Sequence, residues 1–111
     1  DIGGGASILG VLNGSDGVPV TIGKNAFLGA NSCAGTSLGD GCIIDAGVAI
    51  LAGTKITLSE ETIASLKEVN PNKTITALMK GSEFNGVNGV HFRVNSTTGQ
   101  TIALRSTKEV Y

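Results

Sequence analysis

The sequence predicts an all-β chain wound as a parallel β-helix, followed by a short helix and a β-hairpin. Three observations carry that prediction. Aliphatic residues recur mostly six apart, at Ile2, Ile8, Ile22, Leu28, Leu38, Ile44, Ile50 and Ile56. Gly3, Gly23, Gly29, Gly39 and Asp45 directly follow several of them, and the smaller Ala6, Ala26, Ser32, Cys42, Val48 and Thr54 come four residues later. Aromatic residues make up only 4% of the 111 residues, while 17 are glycine, which disfavours a core built on large rings. An ordinary sandwich alternates with a period of two and gives no reason for glycine at a spacing of six.

Each hexapeptide lays one aliphatic side chain into a narrow interior and packs the small residue beside it. The Gly or Asp after the aliphatic residue is expected at a corner of positive φ. Three hexapeptides close a triangular coil of about 18 residues, and successive coils stack at about 4.8 Å as parallel strands. The pattern predicts about three coils over residues 1–57, with Ile22, Leu28, Ile44 and Ile50 nearly fully buried. It breaks in two places. Between Ile8 and Ile22 runs LGVLNGSDGVPVT, longer than the repeat needs; Asn13-Gly14 and Asp16-Gly17 mark it as a loop thrown out from a corner. Loops ejected from a rigid scaffold are where binding concentrates. Between Leu28 and Leu38 the spacing is ten instead of twelve, so AGTSLG closes a corner early.

From Leu58 the chemistry changes. Ser59 is an N-cap, Glu60 and Glu61 occupy the first turn, and Leu58 with Ile63 forms a hydrophobic staple. Asn70-Pro71 stops the segment, giving a helix over 59–69. KTITALMKG alternates like a short strand. GVHFRVNSTTGQTIALRST reads as a hairpin of residues 90–95 and 101–106, turning through Ser96-Thr97-Thr98-Gly99. The chain thus divides into a coil, 1–57, and a helix-and-hairpin extension, 58–111. The extension is too polar and short to fold alone and is expected to pack on an outer face of the coil or on a neighbouring subunit.

Eight basic against nine acidic side chains give a net charge of −1. That balance lacks the basic stripe needed for nucleic acid and the polybasic anchor needed for a membrane surface. No apolar run approaches the roughly 20 residues of a membrane span, and no signal-peptide pattern opens the sequence. Cys33 and Cys42 are too few for a disulfide scaffold and lack zinc-site spacing, so they are read as reduced thiols of a cytoplasmic protein without a metal. Cys42 fills a small interior slot, and Cys33 has no basic neighbour in sequence to lower its pKa. A chain that starts at Asp1 instead of Met is read as a piece of a longer one.

The ordered motifs GGGASILG, LGANS, SLGDGCIIDAG, AGTKI and FRVNS resemble the tetrahydrodipicolinate N-succinyltransferase family, in its C-terminal part, over nearly the whole chain. The resemblance implies a left-handed coil, an exception to the usual crossover rule. It further implies a homotrimer with active sites between adjacent coils, succinyl-CoA as co-substrate and tetrahydrodipicolinate as acceptor, in lysine and diaminopimelate synthesis. By motif match, Gly10 is the oxyanion donor through its N–H. Gly4, Ser7, Ala30, Asp45, Ala46 and Gly53 are contacts for the acyl-CoA arm. Lys80 and the run Arg93, Val94, Asn95 and Ser96 meet its nucleotide end. Asp45 stands where the family often carries Glu, which weakens a side-chain role there but not a backbone one. The family's general-base glutamate belongs to a motif upstream of Asp1, so this piece alone is expected to be inactive.

For several of these residues a plain structural role competes. Gly4, Gly10, Gly53 and Asp45 are also what corners use, and Lys80 and Arg93 are also ordinary solvated charges. His91 invites comparison with the histidine base of O-acetylating hexapeptide enzymes, but it lies in the hairpin, outside the coil. A γ-type carbonic anhydrase needs three histidines and is excluded by the single one present. A sugar or serine O-acetyltransferase and a non-catalytic trimerisation scaffold stay open as alternatives.

Overall fold

The structure, a computed structural model, describes residues 2–8 and 21–106, with Ser7 and Ile8 described as backbone. Its short strands follow from a hexapeptide repeat, which leaves about two residues for each straight side before the next corner. β1 (Ser7–Ile8), β3 (Cys33–Ala34) and β5 (Ala49–Ile50) stack in parallel on one side of a coil. β2 (Phe27–Leu28) and β4 (Ile43–Ile44) stack on a second side, with Ile2 bridged to Leu28 in the coil before. The parallel bridge between Ile22 and Leu38 marks the third. The architecture is of the β-helix type.

Interior side chains obey the sixfold pattern. Leu28, Ile44 and Ile50 are each 0% exposed, and the small slots Ala26, Ser32, Cys42 and Val48 are buried beside them. Each buried Leu or Ile contributes about 1.5–3 kcal/mol. Ile22, expected to be equally buried, is only partly so. It bridges Leu38 on one side and, among the described residues, has no such bridge on the other. The coil is also shorter than three full hexapeptides. Phe27 pairs with Ile43 and Cys33 with Ala49, a repeat of 16 residues. The two missing residues are lost at Thr36-Ser37. There Ser37 Oγ accepts from Thr21 N–H at 2.9 Å and Ser37 N–H donates to Asn85 Oδ1 at 2.9 Å, fixing the tight corner.

The corners correct one sequence expectation. Positive φ falls three residues after the aliphatic position, at Gly5, Asn25, Asn31, Gly41 and Gly47, not directly after it. Glycine and asparagine are the residues that tolerate it. Gly3, Gly23, Gly29 and Gly39 have ordinary φ; a Cβ on any of them would drive into the backbone of the next coil. Close stacking, not conformation, selects those four. Asp45 continues their column, so its assignment to a positive-φ corner does not hold.

After β5 the chain leaves the coil through β6 (Lys55–Thr57), α1 (Glu60–Val69) and β7 (Leu78–Lys80). Ser59 caps α1, its Oγ accepting from Thr62 N–H at 3.2 Å. Within KTITALMKG only Leu78–Lys80 forms strand. The chain then returns through a 3₁₀ turn at Gly81–Phe84 and resumes the stack. Asp40 N–H donates to Asn88 Oδ1 at 2.8 Å, and Gly89 N–H donates to the Asp40 carbonyl at 2.8 Å. β8 (Val90–Val94) then pairs in parallel with β4, Phe92 beneath Ile44, and turns back into antiparallel β9 (Thr101–Arg105). The tail therefore does more than lie on an outer face. It supplies the next rung, and the six strands β2-β4-β8-β9-β6-β7 make one sheet.

The physical reason is the open end of a solenoid, whose unpaired strand edge and exposed core need covering. Phe92 and Phe84 meet there edge to face, ring centres 5.1 Å apart, beside the buried Leu66, Met79 and Val87. Asn70, itself buried, stitches the helix end to the returning chain. Its Nδ2 donates to the carbonyls of Leu66 and Asn88, and its Oδ1 accepts from Asn88 N–H at 2.7 Å. Among the described residues no helix is long and apolar enough to cross a membrane.

Candidate acyl-CoA-binding face

Several of the residues singled out in the sequence gather around the β1-β3-β5 side of the coil. Gly4, Ala30 and Ala46 hold equivalent positions at the corner preceding that side. Asn31 N–H donates to the Gly4 carbonyl and Gly47 N–H to the Ala30 carbonyl, each at 2.9 Å, in successive coils. Asp45 adjoins Ala46, and its N–H donates to the Phe92 carbonyl at 3.1 Å, next to Arg93. On the side itself, Ser7 pairs with Cys33 and Cys33 with Ala49. Ala34 and Ile50 point inward and are wholly buried, so Cys33 and Ala49 point out. Burial pushes the Cys33 thiol above its usual pKa, which disfavours the thiolate.

The corner following that side carries Gly53 and leads to Lys80. The turn is closed by Leu51 N–H donating to Thr54 Oγ1 at 2.9 Å. The Ala52 and Thr54 carbonyls accept from Ser82 and Gly81 N–H at 2.9 and 2.8 Å, which fastens the turn to the strand bearing Lys80.

Two of the glycines differ from the rest. Gly4 and Gly53 have ordinary φ, and a Cβ on either would meet no described atom within 4 Å. Neither strain nor stacking explains glycine at these positions. Open space beside exposed backbone is what a ligand that lies close to the chain requires.

Other sequence expectations are placed differently. Arg93 and Val94 are exposed at the end of β8, away from the second corner. Asn95 is committed to the hairpin turn, its Oδ1 accepting from Thr97 N–H at 2.9 Å and Thr98 N–H at 3.3 Å, with Ser96 exposed within the turn. Gly10 and the LGVLNGSDGVPV loop lie outside the described residues.

Two residues with no assigned role in the sequence reading stand in or beside this constellation. His91 Nε2 lies 2.5 Å from Asp45 Oδ1, so the imidazole holds the carboxylate against β8. No sequence spacing signals this pair, because it depends on the tail returning beneath β4. Lys55 faces Lys80 across β6 and β7.

Similarity to known proteins agrees with the geometry. Residues 19–52 match a family model described as the hexapeptide repeat of succinyl-transferase, a class in keeping with the β-helix type of fold. Within that class the chain resembles one family throughout, the tetrahydrodipicolinate N-succinyltransferases. It is 58% identical over 99% of its length to the 2,3,4,5-tetrahydropyridine-2,6-dicarboxylate N-succinyltransferase of Sulfurimonas denitrificans, and 58% identical over 99% to that of Helicobacter pylori. It spans 28% of the length of each of these relatives. A crystal structure from Campylobacter jejuni, described as a 2,3,4,5-tetrahydropyridine-2-carboxylate N-succinyltransferase, superposes with a TM-score of 0.85 at 47% identity. It covers 93% of this chain and 27% of that one.

Proposed function

We propose that this chain is the acyl-CoA-binding part of an N-succinyltransferase that moves a succinyl group from succinyl-CoA to tetrahydrodipicolinate, in lysine and diaminopimelate synthesis. One observation carries the proposal: identity to the named relatives runs through the tail as well as the coil, over 99% of the chain. A hexapeptide coil alone would point only to a broad class of acyltransferases. Residues 1–57 are the catalytic coil, left-handed, and 58–111 the extension that closes its end. The working form is a cytoplasmic homotrimer, in which a neighbouring coil forms the opposite wall of the ligand groove.

The chemistry needs few groups. The acceptor amine attacks the thioester carbonyl, its proton passes to a base, and the tetrahedral oxyanion collapses with departure of the CoA thiolate. Gly10 N–H donates to that oxyanion, and glycine there leaves the carbonyl room to approach. The base comes from outside residues 1–111. Gly4, Ser7, Ala30, Asp45, Ala46 and Gly53 bind the pantetheine arm along the β1-β3-β5 side. Asp45 lines the arm there by position, since His91 occupies its carboxylate and Phe92 and Val48 engage its backbone. Lys80, Arg93, Val94, Asn95 and Ser96 take the nucleotide end. What supports the arm's course is the unexplained pair of open glycines, one at each corner.

Titration calorimetry of the full-length protein with succinyl-CoA and acetyl-CoA tests the proposal. Preference for succinyl-CoA is the expected result. Preference for acetyl-CoA would favour an acetyltransferase, and no heat with either would favour a scaffold.

A further inference from the structure

We propose that His91 is a positioning residue: by holding the Asp45 carboxylate it keeps the neighbouring Arg93 guanidinium free for an anionic group of the ligand, an assignment that rests on the acyl-CoA reading above. A carboxylate only accepts, so His91 Nε2 carries a proton and donates to Asp45 Oδ1, 2.5 Å away. The two side chains are 25% and 39% exposed, so the pair lies at the surface and not in the core. The same position in the preceding coils is Gly3 and Gly29, so coiling itself does not call for a carboxylate here.

β4 pairs with β8 so that Ile43 is level with His91 and Ile44 with Phe92; the next position brings Asp45 level with Arg93. Ile44 and Phe92 are buried, so by alternation His91 and Arg93 leave β8 on its outer face. Opposite charges level with each other on neighbouring strands attract. Yet among the described residues Arg93 is in no ion pair, and Asp45 is bonded to His91 instead. The Asp45 backbone is fixed. Its N–H donates to the Phe92 carbonyl and its carbonyl accepts from Val48 N–H, each at 3.1 Å. Only the side chain can turn, between the imidazole and the guanidinium. Released by His91, the carboxylate would pair with Arg93, and an incoming CoA phosphate would have to displace it.

Calorimetry with CoA on the full-length protein tests this through His91→Phe, which keeps an aromatic ring between Ile43 and Leu104 but cannot bond Asp45. His91→Phe is expected to weaken CoA binding about threefold, the usual effect of displacing a surface ion pair. His91→Gln, whose amide still donates, should lose less. Asp45→Asn added to His91→Phe should recover most of the loss, a rescue that a merely structural histidine would not show. In an Arg93→Ala background His91→Phe should cost nothing further. Unchanged affinity in His91→Phe, or a loss that Asp45→Asn leaves in place, overturns the proposal. Absence of CoA binding by the unaltered protein defeats the acyl-CoA reading instead. A crystal structure of full-length His91→Phe then tests the restraint alone: the Asp45 carboxylate must lie against Arg93, and any other placement sinks it.

Discussion

Glycines of the coil differ in what a substitution would do. Gly29→Ala would press a methyl group into the Ala46 backbone of the next coil, so it should unfold the protein at lower denaturant by more than about 1 kcal/mol. Gly4→Ala and Gly53→Ala meet open space at ordinary φ and should stabilise the chain by about 0.4–1 kcal/mol. Both should weaken succinyl-CoA binding, because the new Cβ stands where the ligand lies. Urea midpoints and calorimetry on the same preparations separate these effects, and unchanged affinity would remove the two glycines from the site. Under the proposed function Gly10 belongs to the chemistry. Gly10→Ala in the full-length enzyme should lower kcat about 10²–10³-fold, the usual effect of losing one oxyanion donor, with succinyl-CoA affinity within a few fold. Normal turnover with a lowered melting temperature would mark Gly10 as a corner residue only. Sequence alone offered no means of sorting these glycines, since the distinction lies in what a Cβ would meet in the next coil.

Local signals made several elements legible: Ser59 as the cap of α1, and the alternating runs around Ser96–Gly99 that become β8 and β9. The return of the tail into the stack was not legible. It is specified by Asn85 and Asn88, whose side-chain oxygens accept from Ser37 and Asp40 N–H some 48 residues earlier, and no local pattern encodes partners so distant. Cys42 reports on this junction. Its thiol donates to the Val87 carbonyl at 3.2 Å, and burial, the largest cause, raises its pKa above the usual 9.0. A raised folded-state pKa means that the neutral thiol stabilises the fold fully below the unfolded pKa. That contribution is lost as pH rises through the folded value. Stability should therefore fall on the alkaline side of about pH 9, and Cys42→Ala should flatten that fall while costing some stability at pH 7. Urea midpoints from pH 7 to pH 10 check this. Parallel curves for the two proteins would show that the thiol does not titrate with unfolding.

At the scale of the molecule, the sixfold period announced the coil, but not that the chain would interrupt it after Ile50 and finish it from Gly81. The period describes a repeating interior, and the interruption is dictated by the end of the stack, where Phe84, Phe92, Leu66 and Met79 replace the next hexapeptides. The candidate face was legible as motifs but not as geometry: Gly4 and Gly53 are 49 positions apart, and only coiling sets them at the two corners of one side. The proposed homotrimer should appear in light scattering of the full-length protein as three times the chain mass at micromolar concentration, and a monomer would contradict it. The account's central claim is that an acyl-CoA arm runs along the β1-β3-β5 side between those corners. A crystal structure of the full-length protein with succinyl-CoA tests it most directly. The account predicts the pantetheine arm over Ala30, Ala46 and Gly53. Succinyl-CoA bound on another side of the coil, with that face empty, would contradict it.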